Sequence, residues 1–316
     1  MIENKFDNPL YNSLLGIEVK NAITGDDDAG NNDLQDGTTP KDTLWSVVDE
    51  KVIDATKELT TPLRTTTFDV SADIRYLPAS AGEAKPNIQV RILTGVGAVK
   101  KDATSDKESD MSAKVVSVPL TRYSRTVGID MYSAMKGFDE TVAGVKAATD
   151  AIIREMCKDM FTLAATTTNE KEIPEVTPET VAHTLSAAFD TYGDVENLAL
   201  SPLDYAQLLP TDRQGFAITE GVYGIGKIHK AKLPSGVQGL AWNRNGIAAA
   251  FGTPAFTNAP GVEFRTFEVE GIPFRLKTWF DADENKFYHT VDTLAGFALG
   301  DEHVLANIVI GGDESN

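Results

Sequence analysis

Two stretches of alternating residues, separated by a charged segment, most constrain the fold of this chain. In the first stretch, Ile88, Val90 and Ile92 recur at a spacing of two. The second holds Val116, Val118 and Leu120 at this spacing, followed by Tyr123, Arg125, Val127 and Ile129 at the same spacing. A period of two is typical of a strand with one buried face. Residues 100–110 between them are almost wholly polar, so the pattern predicts a long two-stranded hairpin with a charged tip.

The expected length of this hairpin raises the question of what covers it. Each arm runs for roughly eleven residues, or about 36 Å at the usual strand rise. A compact chain of 316 residues should have a radius of gyration of about 20 Å. Isolated two-stranded ribbons are marginal in water. We therefore expect the hairpin either to reach onto a neighbouring copy of the protein or to lie flat across its own domain.

The strongest predicted helix follows the hairpin, over residues 139–165. Apolar residues recur there at spacings of three and four, which places them on one stripe. Cys157 lies within this helix without a neighbouring His or Asn, so we interpret it as a small packed residue and not as a nucleophile. The stripe consists of Val142, Val145, Thr149, Ile152, Met156, Met160 and Leu163, and the opposite side carries Lys146, Asp150, Arg154 and Lys158.

The remaining pattern predicts a mixed α+β protein. A helix opens at Thr39 and Pro40 and ends near Glu58, and a second opens at Thr177 and ends at Gly193. The segment 215–260 is rich in glycine and is interpreted as irregular. Strands are predicted over residues 64–76, 198–201, 262–269, 274–280, 286–292, 294–300 and 304–310, with a short helix over 202–209.

The charge distribution is uneven. The chain carries 29 basic and 47 acidic residues, a net charge of −18. Residues 1–50 hold 11 acids and 3 bases, and the polar stretch 25–33 within them is typical of an exposed loop or mobile arm. A strongly acidic chain repels nucleic acid at long range, which argues against binding to a phosphate backbone as its main task.

Two short motifs resemble known ligand sites and fail at an essential position. Residues 221–228 nearly match the phosphate-binding loop, but Ile228 stands where a hydroxyl must bind magnesium. Asp281, Asp283 and Asn285 match the first ligands of a calcium loop with Asp292 as its last, but Lys286 replaces the required glycine. A tight hairpin turn explains the second motif without a metal.

No other pattern indicates catalysis. The single cysteine excludes an intrachain disulfide, and the four histidines show no paired metal-ligand spacing. No G-x-S-x-G nucleophile elbow is present. The apolar runs are far shorter than a bilayer requires. We therefore predict a protein that is not an enzyme, with no catalytic residue, no cofactor, no metal site and no membrane partner.

The order of these features resembles the Hong Kong 97-like major capsid proteins of tailed double-stranded DNA bacteriophages. Residues 115–130 are similar to the returning strand of that family's extended E-loop, and the helix 139–165 follows as the spine helix does. Residues 198–205 resemble the strand-then-helix segment that opens the axial domain, and residues 274–281 and 296–300 resemble the final strands. The resemblance covers roughly residues 40–310 and rests on order and spacing, since no single motif is diagnostic.

The resemblance implies an α+β Hong Kong 97-like fold with five segments. These are an N-terminal arm with a helix over 1–60, a peripheral-domain strand and E-loop hairpin over 61–130, the peripheral domain with the spine helix over 131–194, the axial domain over 195–261, and returning strands of both domains over 262–316.

The resemblance also implies a function. Such a chain assembles with itself into pentamers and hexamers of an icosahedral shell that encloses phage DNA without sequence-specific binding. It belongs to the virion and is assembled in the host bacterial cytoplasm, with a separate scaffolding protein, a portal protein and decoration proteins as expected partners. An encapsulin-type nanocompartment shell and an acidic monomeric binding or adhesion protein stay open as alternatives.

The charged tip of the hairpin is the expected subunit contact. Some members of the family crosslink an E-loop lysine to an asparagine of another subunit, but no feature of this sequence identifies the partner asparagine, and we do not predict the crosslink. The candidate contact residues are Lys100, Lys101, Asp102, Asp106, Lys107, Glu108 and Asp110.

Overall fold

The protein folds into a six-stranded sheet, a five-stranded sheet and a two-stranded ribbon. The computed structural model describes residues 51–75, 85–95, 112–131, 139–174, 178–189, 195–208, 225–255 and 261–310. The strands are β1 (Thr67–Ile74), β2 (Asn87–Gly95), β3 (Ser112–Pro119), β4 (Thr121–Asp130), β5 (Glu170–Ile173), β6 (Asn197–Leu200), β7 (Lys227–Lys230), β8 (Gly239–Trp242), β9 (Ile247–Pro254), β10 (Val262–Val269), β11 (Ile272–Asp281), β12 (Lys286–Leu299) and β13 (Leu305–Ile310).

Helices are fewer than strands in the described residues. Residues 51–56 are helical and run into a 3₁₀ turn and a short helix, so the end of the first predicted helix lies close to Glu58, while its start lies outside the described residues. The α-helices are α1 (Thr61–Arg64), α2 (Asp139–Ala164), α3 (Pro178–Ser186) and α4 (Pro202–Leu208), and the 3₁₀ turns are Lys57–Thr60, Arg244–Gly246 and Glu302–Val304.

The long strand β12 organises the six-stranded sheet. It pairs antiparallel with β11, β4 and β9, while β1 joins β9 in parallel and β10 joins β11. The prediction of two separate strands over 286–292 and 294–300 is wrong, because β12 continues through Thr293 for 14 residues. The Thr293 hydroxyl is buried and donates a hydrogen bond to the carbonyl of Pro273 at 2.7 Å, which satisfies its polar group without interrupting the strand.

The prediction that residues 215–260 are irregular is also wrong where the structure describes them. Strands β7, β8 and β9 all lie in this segment. Every residue of β9 is buried, including the run Ala248, Ala249 and Ala250. A strand buried on both faces shows no alternation, and alanine and glycine have low strand propensity, so the pattern concealed it. A Cβ at Gly252 would lie 2.5 Å from the Ser71 carbonyl oxygen, so glycine permits β1 to approach.

Helix α2 covers one face of the six-stranded sheet, against β4 and β12. Its bounds agree with the predicted helix to within one residue. Val145, Met156 and Met160 of the predicted stripe are fully or almost fully buried in the largest core cluster. The Tyr123 hydroxyl of β4 donates a hydrogen bond to Asp159 of α2 at 2.6 Å. The helix is thus fixed to the sheet by both apolar packing and a polar contact.

The five-stranded sheet has the order β5-β13-β8-β6-β7 and carries a second core cluster. The predicted strand 198–201 and helix 202–209 are confirmed as β6 and α4, each shifted or shortened by one residue. Helix α3 ends at Ser186, before the predicted stop, and Gly193 lies outside the described residues. No helix in the described ranges combines the length and hydropathy needed to cross a bilayer.

Candidate functional site

The predicted subunit-contact residues cannot be placed. All seven lie within residues 96–111, outside the described residues. The described part of the hairpin is the ribbon β2–β3, which is paired from Asn87 with Pro119 to Gly95 with Ser112. The ribbon and the surfaces around it form the candidate functional site.

The returning arm of the hairpin is two strands and not one. β3 ends at Pro119 and pairs only with β2 among the described strands, whereas β4 begins at Thr121 and pairs with β12. Leu120 at the junction is fully buried, and its N–H donates to the Pro86 carbonyl at 2.8 Å. The period of two shifts by one residue at this junction, from Val116, Val118 and Leu120 to Tyr123, Val127 and Ile129. This shift was the signal of the change of sheet, and the prediction of one continuous strand did not use it.

The inner face of the ribbon packs on the six-stranded sheet of the same chain. Alternate side chains of a strand point to one face, so Val90, Ile92 and Val118 lie together and are buried. They pack in one cluster with residues of β9 and β12, among them Ala248 and Leu294. Of the two expectations for the hairpin, the described part follows the second, since it lies across its own domain.

Two glycines of the main body allow this close seating. A Cβ at Gly296 in β12 would lie 2.2 Å from the Pro119 carbonyl oxygen. A Cβ at Gly300 would lie 2.2 Å from the Asn245 carbonyl oxygen and 2.8 Å from the Ile92 side chain. Backbone approach at these distances excludes any side chain. The body is therefore shaped to receive the base and the middle of the ribbon.

Polar contacts hold the tip-proximal end of the ribbon. The Lys114 ammonium donates to the Gly300 carbonyl at 3.1 Å. The Asn245 side-chain amide donates to the Leu93 carbonyl at 2.9 Å, and its oxygen accepts from the Thr67 hydroxyl at 2.9 Å. Lys114 thus binds the body of its own chain.

The outer face of the ribbon carries exposed apolar side chains. Val115 is 60% exposed and Leu93 is 41% exposed. Arg91 pairs with Val115 across the ribbon and is also exposed. The inner face of the ribbon is already buried against the core of the same chain. Apolar side chains left exposed on the outer face contribute no burial free energy to the folded subunit. The outer face therefore presents apolar area from both strands to solvent.

A buried ion cluster joins the adjacent strands β11, β12 and β4 of the six-stranded sheet. Asp292 is fully buried, and Arg275 binds both of its oxygens, Nε to Oδ1 at 2.9 Å and Nη2 to Oδ2 at 2.6 Å. Arg122 adds a contact from Nε to Oδ2 at 3.0 Å. In the calcium-loop motif, Asp292 would be the last metal ligand. In the structure, its carboxylate accepts hydrogen bonds from two arginines instead.

The first residues of that loop form the predicted hairpin turn. Asp281 accepts hydrogen bonds from the backbone N–H groups of Asp283 and Glu284 at 3.0 and 3.2 Å. Asn285 has φ +55°, the left-handed conformation that asparagine tolerates in turns. The turn is confirmed. Among the described residues, no group of three His, Cys, Asp or Glu side chains could hold a metal ion.

The phosphate-loop motif also lacks its structural context. A phosphate loop must open a helix after its lysine, but Lys227 begins the strand β7. Part of the motif, residues 221–224, lies outside the described residues. The described part therefore excludes the helix N-terminus that would bind phosphate.

The buried titratable side chains occupy packed positions. Burial lowers the pKa of His289 to about 4, and burial together with nearby Lys227 lowers the pKa of His229 to about 4. His229 stacks on Trp242 with ring centroids 5.6 Å apart. Burial raises the pKa of Cys157 to about 12, so its thiol is protonated at neutral pH, as expected for a packed cysteine.

A cleft of about 770 Å³ lies between the first turns, α2 and β7. Its walls carry Arg154 and Lys158 from the side of α2 that the sequence predicts to face solvent. The sequence did not predict this cleft, because the strand β7, which forms one of its walls, was not predicted. The signal for this cleft in the sequence was a group of three lysines within six residues of an otherwise acidic chain, namely Lys227, Lys230 and Lys232.

Comparisons with known proteins find structural likeness only. No protein-family model matches the chain, and no curated protein matches it. The capsid structure of the cyanophage P-SCSP1u is 12% identical with a TM-score of 0.46, and the match covers 78% of this chain and 88% of that one. A Microbacterium phage Oxtober96 structure is 12% identical with a TM-score of 0.44 over 79% and 90% of the two chains. A virus-like particle from Pyrococcus furiosus is 11% identical with a TM-score of 0.46 over 83% and 98%. At these identities, none of the likenesses assigns an activity to this chain.

Proposed function

We propose that this chain is the major capsid protein of a tailed double-stranded DNA bacteriophage, a structural subunit that assembles into pentamers and hexamers of an icosahedral shell. One observation carries the proposal, the order of elements along the chain. After β1 the chain forms the ribbon β2–β3. The 26-residue helix α2 follows and packs on β4 and β12, and most of a separate five-stranded sheet comes next. The last strands return to both sheets, β12 to one and β13 to the other. This is the order that the resemblance of the sequence implies.

The surface of the ribbon supports assembly by repeated apolar contacts. Exposed ion pairs contribute about 0–1 kcal/mol each, so a charged tip alone stabilises a shell poorly. Val115 and Leu93 on the outer face offer apolar area that each copy presents once. Repetition of one small contact over many copies gives a stable closed assembly without a large interface at any single position.

The charge of the chain suits a container for DNA. A net charge of −18 repels a phosphate backbone at long range, so the inner wall encloses DNA without gripping it. The proposal keeps the five-segment domain division, the hairpin tip as a subunit contact, a location in the virion after assembly in the host cytoplasm, and scaffolding, portal and decoration proteins as partners.

Electron microscopy of the purified protein, together with size-exclusion chromatography at moderate salt, tests the proposal. We expect closed shells, or discrete pentamers and hexamers. A stable monomer of 34.1 kDa, unchanged by protein concentration or by a scaffolding partner, would overturn it. Shells that package an enzyme in place of DNA would point to a nanocompartment instead.

A further inference from the structure

The cleft between α2 and β7 differs in charge from the rest of this acidic protein, and we call it the basic cleft. One wall is the C-terminal half of α2, the other is β7 with the residues after it, and one end is formed by the turns from Glu58 to Pro62. Five basic side chains line it, against two acidic ones. The basic residues are Arg154, Lys158, Lys227, Lys230 and Lys232, and the acidic residues are Glu58 and Glu155.

The charges of the basic cleft are only partly neutralised from within. Glu155 pairs with Lys158 at 2.5 Å. In the part of the chain that the structure describes, Arg154 and Lys232 make no ion pair, and both are exposed. Several positive charges along one concave surface raise the local concentration of an anionic partner. The cleft is therefore suited to a segment with several carboxylates.

The floor of the basic cleft is apolar, which favours a peptide over a free anion. Phe161, Ile228 and Ala231 lie there and are buried. Lys230 lies over the Tyr205 ring, 5.9 Å from its centroid. In the described strand order β7 is at the edge of its sheet and pairs only with β6. An extended chain with acidic and apolar side chains matches both the walls and the floor.

We propose that the acidic segment 25–36 of the same chain occupies the basic cleft. This segment holds five aspartates and no base, together with the apolar Leu34. The described chain begins at Lys51 and is helical through residue 56, which leads directly to Glu58 at the end of the cleft. The 14 residues of 37–50 span at most about 45 Å when extended, so the segment can return to the cleft.

Occupation of the basic cleft has a consequence for the assembled protein. The five aspartates would neutralise a surface that otherwise attracts phosphate. The acidic arm would then act as a built-in competitor of nucleic acid, and the exposed charge of the body would become more uniformly negative. The segment would also be held against α2, the helix that covers the six-stranded sheet.

Zero-length carbodiimide crosslinking of the full chain, read by peptide mass spectrometry, tests this assignment. We expect bonds between Asp26, Asp27, Asp28 or Asp33 and the cleft lysines. Arg154→Gln removes a positive charge, leaves all reactive groups in place and adds no new carboxylate, and we expect it to lower the yield about threefold, since attraction is weakened. Arg91→Gln on the ribbon is the matched control and should leave the yield unchanged. Thermal melting confirms that both variants fold.

Mixing light and isotopically heavy protein identifies the chain that supplies the segment. Products that are only light-to-light or heavy-to-heavy support the assignment, and light-to-heavy crosslinks overturn it in favour of a second copy. Absence of arm-to-cleft crosslinks, while these lysines react elsewhere, overturns it. Binding of a labelled DNA duplex that Arg154→Gln weakens, without arm crosslinks, would make the cleft a nucleic-acid site. The readout is the same for assembled and unassembled fractions, so it does not depend on the capsid proposal.

Discussion

Arg275 and Asp292 form a bidentate ion pair between adjacent strands of the six-stranded sheet, at 2.9 and 2.6 Å. The carboxylate is fully buried and the arginine is nearly so. The remaining guanidinium nitrogen donates to the carbonyls of Pro254 and Ala255, so its hydrogen-bonding groups are occupied on several sides. Burial of two charges is tolerated only when their geometry and remaining hydrogen bonds are good, and this pair fixes the register of β11 on β12.

We predict that Asp292→Asn lowers the free energy of unfolding by about 3 kcal/mol, since it leaves Arg275 buried without a counter-charge. Urea denaturation of both proteins measures the loss. Asp283→Asn, in the exposed turn, is the control and should stay within about 0.5 kcal/mol of the parent. A variant of Asp292 as stable as that control would contradict the role assigned to the pair.

The seating of the ribbon predicts that Gly296→Ala destabilises the protein by about 2 kcal/mol, because the new methyl group would meet the Pro119 carbonyl oxygen. Ser117→Thr adds a methyl group to the exposed face of the same ribbon and should be nearly neutral. Denaturant midpoints compare the two. Equal denaturant midpoints for the two variants would contradict the close contact between Gly296 and the ribbon.

The free energy of unfolding should rise with pH between about 4 and about 6.5, where the buried His289 is neutral in the folded protein and protonated in the unfolded chain. The folded pKa of His289 is about 4, below its unfolded value of about 6.5. Between these values the unfolded chain binds more protons, so stability is lost as pH falls from about 6.5 to about 4 and is constant above. The contribution is on the order of 3 kcal/mol. In His289→Gln the slope of unfolding free energy against pH should be smaller, and parallel curves would exclude the contribution.

If the outer face of the ribbon is a subunit contact, Val115→Glu should abolish shells while leaving the melting temperature within a few degrees of the parent. The side chain is already 60% exposed, so the folded subunit loses little. Val115→Ile keeps the apolar surface and should assemble. Electron microscopy gives the readout. Normal shells from the glutamate variant would remove this face from the interface.

Deletion of residues 100–112 should likewise spare the subunit and impair assembly. The ribbon's buried residues, such as Ile92 and Val116, lie outside the deleted segment and keep their packing. Circular dichroism and chromatography separate the two effects. A deletion that unfolds the subunit would place the hairpin tip in the core.

Several elements were predicted correctly because neighbouring residues in the sequence carry their signal. Helix α2, strand β10 and the turn at Asp281 each carry a local signal, namely a spacing of three and four, an alternation of two, and residues that favour a tight turn. Such signals depend on neighbours within a few residues, so they can be read without knowledge of the rest of the chain.

The features that the sequence could not reveal depend on residues far apart in the chain. β9 is buried on both faces and shows no period, and the partners that β3 and β4 take in two different sheets are known only from their pairing. Asp292 becomes the partner of Arg122 only because β4 pairs with β12. The sequence by itself determined where solvated faces occur, and the tertiary structure decided which surfaces meet, because long-range pairing and burial on both faces leave no periodic trace in the local pattern.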